Sequence, residues 1–125
     1  MAGQYLIIFD AGTGGGRCTI IDSNGHQLVS EYREWRYDTP TSRSPYAREF
    51  DANLFYNIMA DAARTASIKA GVAPEEVAAI SATSQREGCV LLDEAGRPIY
   101  AGPNMDWRAT DEAEYLALTY GDRIY

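Results

Sequence analysis

The sequence is poor in the residues that build metal centres. It has one histidine, His26, and two cysteines, Cys18 and Cys89, with no CxxC spacing. That excludes a thiolate or imidazole metal site and a disulfide scaffold. The cysteines read as small buried thiols of a reducing compartment, and His26 as a solvated turn residue. Basic residues are also scarce: eleven Lys and Arg stand against eighteen Asp and Glu, a formal charge of −7, without a basic cluster. Nucleic acid is thereby excluded as a partner. The N-terminus has no basic leader, and its apolar run from Tyr5 to Phe9 is far too short for a signal peptide or a membrane span. No membrane partner is expected, and a cytoplasmic location follows. Repeats and low-complexity tracts are missing too. What remains, 125 residues with 46% hydrophobic and 23% charged, has the composition of one soluble folded domain with a real core and no room for a second.

Local patterning predicts a mixed α/β chain. Tyr5 to Asp10 is an apolar run ended by glycines, the signature of a buried strand, and Cys18 to Asp22 is a second. Ser23-Asn24-Gly25 is a turn signal, and alternation from His26 to Tyr37 predicts a third strand, so the chain starts as an antiparallel meander. The Thr/Ser/Pro/Arg-rich segment Asp38 to Glu49 reads as a loop long enough to suggest function or mobility. Asp51 is an N-cap for a helix whose stripe is Leu54, Phe55, Ile58, Met59, Ala62, Ala63 and Ala66, with Gly71 as its stop. That helix must cover a sheet. Pro74 opens a short turn, and Val77 to Thr83 is a buried strand. Gly88 to Leu92 and Pro98 to Ala101 flank the turn Asp93-Glu94-Ala95-Gly96. After polar Asn104 to Arg108 comes a helix, Ala109 to Tyr120, stopped by Gly121.

Two segments carry chemistry. In Asp10-Ala11-Gly12-Thr13-Gly14-Gly15-Gly16-Arg17, the glycines let the backbone turn sharply and present several N–H groups to one anion, as a phosphate nest does. A Walker loop would need Gly-Lys-Ser/Thr, and a Rossmann loop a glycine where Arg17 stands. Both of those open a helix, whereas this turn runs into the strand Thr19-Ile20-Ile21. It is a phosphate hairpin between strands. Asp10 suits a magnesium ion that keeps its waters beside nucleotide phosphates, and Thr13 and Arg17 can donate to phosphate oxygens. The second segment, Ser81-Ala82-Thr83-Ser84-Gln85-Arg86-Glu87-Gly88, follows a hydrophobic strand, where open α/β sheets place ligands. Gln85, Arg86 and Glu87 mix donors and acceptors, as recognition of hydroxyl groups requires. Taken alone, Arg86 and Glu87 read equally well as a surface ion pair.

The strand-DxGT-strand hairpin resembles the first phosphate motif of the actin, Hsp70 and sugar-kinase superfamily, whose domains share a ribonuclease-H-like fold. With Gly96-Arg97-Pro98-Ile99-Tyr100 and Asn104-Met105-Asp106-Trp107-Arg108-Ala109 downstream, nearly the whole chain resembles the FGGY carbohydrate kinases. Within that family, the combination of Glu49-Phe50-Asp51, Ser-x-Arg-Glu-Gly and Asn-x-Asp-x-Arg-Ala looks most like the autoinducer-2 kinases, which phosphorylate a primary hydroxyl of a small linear dihydroxy-dione. The resemblance implies an α/β, ribonuclease-H-like mixed sheet with an antiparallel start and flanking helices. Residues 1–125 would be a truncated part of the N-terminal kinase domain, with the C-terminal domain absent. It implies ATP and magnesium as cofactors and a small sugar or polyol as partner. Nucleotide phosphates would meet Gly12, Thr13, Gly14, Gly15 and Arg17, the metal Asp10, and the substrate Gln85, Arg86, Glu87, Met105 and Asp106. The base that accepts the hydroxyl proton would lie beyond Tyr125, leaving no catalytic group here and an isolated piece without turnover.

Two departures bear on substrate. Gly14 replaces a second hydroxyl residue of many relatives, and Met105 takes the place of a substrate-contacting tryptophan of glycerol kinases, which weakens glycerol as the substrate. Trp107 reads equally as a packing aromatic or a sugar-stacking one. The tyrosines read as packing residues. An actin- or Hsp70-type ATPase and a non-catalytic sugar-sensing module are the alternative functions. Homodimer formation through exposed edges is left open by the sequence.

Overall fold

The computed structural model describes residues 4–40 and 44–123. Three strands open the chain: β1 (Tyr5–Ala11), β2 (Gly15–Asp22) and β3 (Gln27–Glu34). They form the expected antiparallel meander, with Ile7 opposite Ile20, Phe9 opposite Cys18 and Ile20 opposite Val29. The chain then runs to helix α1 (Ala52–Ala70), a 3₁₀ turn (Pro74–Glu76) and β4 (Val77–Ser84), which returns parallel to β1. The sheet order is β3-β2-β1-β4. A separate two-stranded ribbon, β5 (Cys89–Leu92) and β6 (Pro98–Gly102), precedes helix α2 (Thr110–Tyr120) and a closing 3₁₀ turn, Gly121–Arg123.

α1 starts where Asp51 accepts hydrogen bonds from the Asn53 and Leu54 amides (2.8 and 3.0 Å), and ends at Gly71, whose φ of 66° is the left-handed cap. Its alanine face is the reason it can lie close to the sheet: Ala62 and Ala66 are fully buried against Ile7, Cys18, Ile20 and Val72. Side chains alternate along a strand, so Ile7 and Phe9 face α1, while Asp10 and its cross-strand neighbour Arg17 lie on the opposite face. A second cluster is aromatic. Trp35 stacks on Phe55 (4.3 Å between centroids), Phe55 on Phe50 (4.5 Å), and Tyr37 tilts against both phenylalanines.

Four expectations are corrected. Cys89, read as a buried thiol, is exposed, and Cys18 alone is buried. β3 stops at Glu34, three residues short of Tyr37, because Trp35 turns into the aromatic cluster and its amide bonds the Gly14 carbonyl (3.3 Å). β2 starts at Gly15, so two of the hairpin glycines are strand residues. β4, expected to be buried, is an edge strand whose Ile80 is 65% exposed, and among the described residues no strand pairs with its outer side. Among the described residues, no helix is long and apolar enough to cross a membrane.

Candidate functional site

The hairpin turn proper is Gly12-Thr13-Gly14, closed by the Gly12 amide donating to the Gly15 carbonyl (2.9 Å). None of Gly12, Gly14, Gly15 or Gly16 has positive φ, so the turn is not a nest of alternating handedness. The glycines at Gly15 and Gly16 have a packing cause instead. A Cβ on Gly16 would sit 2.0 Å from the Met59 sulfur and 2.6 Å from the Trp35 ring, and one on Gly15 would sit 2.4 Å from the Tyr32 hydroxyl. What the turn offers an anion is narrower: among the described residues, the amides of Thr13 and Gly14 donate to no protein acceptor. Trp35 braces the turn from below, its indole N–H donating to the Thr13 carbonyl (3.3 Å).

Asp10 lies at the C-terminal end of β1, between Arg17 on β2 and Thr83 on β4. Its carboxylate is exposed and makes no hydrogen bond or ion pair among the described residues. Arg17 lies over the Tyr32 ring, 5.5 Å from its centroid, and is likewise free of carboxylate partners. No cluster of three or more His, Cys, Asp or Glu able to hold a metal exists among the described residues. The donor set therefore suits only an ion that brings most of its own oxygen ligands, as magnesium does with water and phosphate.

Beside the hairpin, the ends of β1 and β4 open onto a cleft of about 220 Å³ lined by Ala11, Trp35, Phe50, Ser84, Gln85 and Cys89. Gln85 is held from three sides: its amide donates to the Ala11 carbonyl (2.9 Å), and its side chain meets the Tyr37 hydroxyl (3.2 Å) and the Asn104 amide (3.3 Å). Arg86 and Glu87 are exposed and do not pair with each other, so the surface ion pair that fits the sequence equally well does not form. Glu87 is the only described non-glycine residue with positive φ, at 63°. That conformation costs roughly 1 kcal/mol or more for a residue with a side chain and gathers at functional sites.

The downstream loop presents Met105 and withdraws Asp106. Met105 lines a second cavity of about 220 Å³ with Tyr46, Arg48 and Trp107. The Asp106 side chain is 4% exposed, and both of its oxygens are taken. They accept from the Tyr100 hydroxyl (2.6 Å), the Arg108 Nε (2.7 and 2.9 Å) and the Arg48 amide (3.3 Å). Burial alone would push this carboxyl up, but the bonds from Arg108 and Tyr100 together overcome it and hold Asp106 at about 2. The Tyr100 hydroxyl is pushed up to about 12 by burial and by the bond to Asp106. Arg108 is raised chiefly by its bond to Asp106, then by Glu49, whose carboxylate accepts from its Nη1 at 2.7 Å. This hub clasps the end of the 38–49 loop to the loop after β6. The Asp38–Glu49 bridge and the Trp107 amide, which donates to the Tyr46 carbonyl, complete the clasp. Sequence reasoning treated Tyr37 and Tyr100 as packing and passed over Trp35. Their polar atoms matter only through partners 22 and 48 positions distant for Trp35 and Tyr37, and 6 for Tyr100, at spacings that no local pattern records.

The mixed sheet, opened by an antiparallel meander and flanked by helices, has the ribonuclease-H-like fold of the actin and sugar-kinase class. Solved structures bear this out at the level of fold. Gluconate kinase from Lactobacillus acidophilus superposes with a TM-score of 0.83 at 18% identity, covering 96% of this chain and 23% of that one. Glycerol kinase of Plasmodium falciparum, solved with ADP, superposes with a TM-score of 0.74 at 19% identity, covering 99% of this chain and 25% of that one. The sequence profile of the FGGY family of carbohydrate kinases, N-terminal domain, matches residues 5–118, and the chain belongs to that family. Among curated relatives, the autoinducer-2 kinase of Escherichia coli strain SMS-3-5 is 42% identical over 125 residues, 97% of this chain. The match covers 23% of that relative, so the chain spans about a quarter of its length. Membership in a carbohydrate-kinase family removes the actin- and Hsp70-type alternative.

Proposed function

We propose that the protein to which this chain contributes its N-terminal part transfers the γ-phosphoryl group of ATP to a hydroxyl of a small sugar or polyol, with an autoinducer-2-like dihydroxy-dione as the favoured substrate. The observation that carries this reading is the pairing, at one end of the sheet, of an uncommitted carboxylate, Asp10, with two uncommitted amides, Thr13 and Gly14. A carboxylate and amide donors serve opposite charges. Together they fit a phosphate chain that carries a cation. The 42% identity with an autoinducer-2 kinase supports the substrate class.

In this reading the Thr13 and Gly14 amides, the Thr13 hydroxyl and Arg17 bind phosphate oxygens, with Gly12 and Gly15 closing the turn that presents them. Asp10 is the residue that would hold a magnesium ion. When bound, that ion neutralises charge on the transferring phosphoryl group. Arg86 and Glu87 bind and orient substrate hydroxyls from the turn after β4, Gln85 and Met105 border the substrate, and Asp106 fixes the loop that carries Met105. In the transfer, the acceptor oxygen bonds the γ-phosphorus as the bond to the ADP oxygen breaks, and the hydroxyl proton passes to a base supplied from outside residues 1–125. The residues present contribute position and charge more than covalent chemistry, which is what phosphoryl transfer asks of a protein. Occupancy of one wall of the cleft predicts that the 125-residue chain alone forms no ADP.

The test is a panel of sugars and polyols assayed with ATP and magnesium against the full-length protein. Phosphorylation of dihydroxypentanedione in preference to glycerol, xylulose and ribulose is expected. Absence of ATP-dependent phosphorylation across the panel refutes the kinase reading, and preference for glycerol refutes the substrate class.

A further inference from the structure

We propose that Tyr37, Gln85 and Asn104 are positioning residues that tie the substrate turn to the phosphate hairpin, so that the two sides of the transfer are set by one polar link. The inference rests on the kinase reading above for its consequence, but its geometry is independent of it. Gln85 was expected to touch substrate. Instead its Nε2 donates to the Tyr37 hydroxyl at 3.2 Å, its Oε1 accepts the Tyr37 hydroxyl at 3.4 Å, and the same Oε1 accepts the Asn104 amide at 3.3 Å. Asn104 carries the link onward, its Nδ2 lying 3.4 Å from the Thr13 hydroxyl oxygen. The alternative sense, Thr13 donating to the Asn104 Oδ1, spans 3.5 Å.

The sense of that last contact matters chemically. A hydroxyl that accepts from Asn104 keeps its own proton for an outside oxygen, whereas one that donates to Asn104 does not. A phosphate oxygen at the turn favours the first arrangement, and the amide of Asn104 is oriented for it only while Gln85 fixes the Asn104 backbone. Tyr37 in turn fixes the Gln85 amide. It is itself held by ring contacts to Phe50 and Phe55, at 6.0 and 5.9 Å, which do not depend on its hydroxyl. The distances of the link, 3.2 to 3.5 Å, lie at the long end of the hydrogen-bond range. Gln85 also donates its backbone N–H to Ala11, the residue that opens the hairpin, so side chain and main chain report to the same turn.

The test uses the full-length protein and two readouts. In steady-state kinetics, Asn104→Ala is expected to lower kcat roughly ten- to a hundredfold while sugar KM changes less than about twofold, the signature of misplacement rather than lost binding. Tyr37→Phe is expected to lower kcat several-fold, and Tyr37→Phe with Asn104→Ala is expected to be no worse than Asn104→Ala alone. Thr13→Ser should retain most activity where Thr13→Val does not. Tyr56→Phe, at an exposed position of α1, is the control expected to behave as wild type. In amide hydrogen exchange, Asn104→Ala is expected to speed exchange at Gly12 and Trp35, whose amides bond within the hairpin, and to leave Ile20 in the sheet unchanged.

Additive effects of Tyr37→Phe and Asn104→Ala, a rise confined to sugar KM, or faster exchange throughout the sheet overturns the proposal. If the wild-type protein phosphorylates nothing, the kinase reading falls. Exchange then still decides the link: unchanged rates at Gly12 and Trp35 overturn it, and faster rates there alone support it.

Discussion

Replacing Asp106 by Asn keeps the shape of the side chain and removes the charge at the centre of the clasp between the 38–49 loop and the loop after β6. The cost can be worked from the carboxyl itself. Folding lowers it from 3.8 to about 2, and each unit corresponds to about 1.4 kcal/mol, so the ionised form stabilises the fold by roughly 2 kcal/mol. Little of this is lost to solvent screening, because the side chain is 4% exposed. The sign follows from the direction of the shift. The contribution is complete above about pH 5, falls to roughly half near pH 3 and disappears below about pH 2. Asp106→Asn is therefore expected to lower the unfolding free energy by about 2 kcal/mol at pH 7 and by about half that at pH 3. Urea unfolding followed by tryptophan fluorescence, run on both proteins at pH 7, 5 and 3, measures the difference. A loss below about 0.5 kcal/mol at pH 7, or one that stays constant down to pH 3, refutes the hub as a charge-dependent clasp.

Other perturbations separate packing from conformation. Gly16→Ala is expected to cost about 1 to 3 kcal/mol, because its Cβ would meet the Met59 sulfur at 2.0 Å, whereas Gly14→Ala, whose nearest contact would be 3.9 Å away, should be close to neutral in thermal unfolding. Glu87→Gly relieves a positive φ and is expected to stabilise the chain by about 1 kcal/mol while weakening sugar binding, a trade readable by pairing melting curves with sugar titration. Equal sugar affinity in that variant would remove Glu87 from the substrate site.

The meander, α1 and its caps were legible because their causes are local. An apolar run ended by glycines marks β1 and a turn signal follows β2, Asp51 and Gly71 punctuate α1, and the alanine stripe says which face is covered. The hairpin was legible as a motif but for a partly mistaken reason. Gly15 and Gly16 are small because Tyr32, Trp35 and Met59 crowd them, a contact across three elements that sequence spacing does not carry. The end of β3 was missed for a related cause: alternation continues past Glu34, but Trp35 is drawn out of register by Phe55, twenty residues on. Asp106 shows the limit most clearly. A motif match placed it against substrate, while its partners Tyr100, Arg108 and Arg48 come together only once the loops have folded over one another.

The measurement that bears most directly on the account is the dissociation constant of magnesium-ATP and of sugar, taken separately by calorimetry, for Asp10→Ala and Glu87→Ala in the full-length protein. The account predicts that Asp10→Ala weakens or abolishes magnesium-nucleotide binding and leaves sugar affinity near wild type, and that Glu87→Ala does the reverse. Loss of sugar affinity alone in both variants would contradict it, because the hairpin would then not be where the phosphate is held.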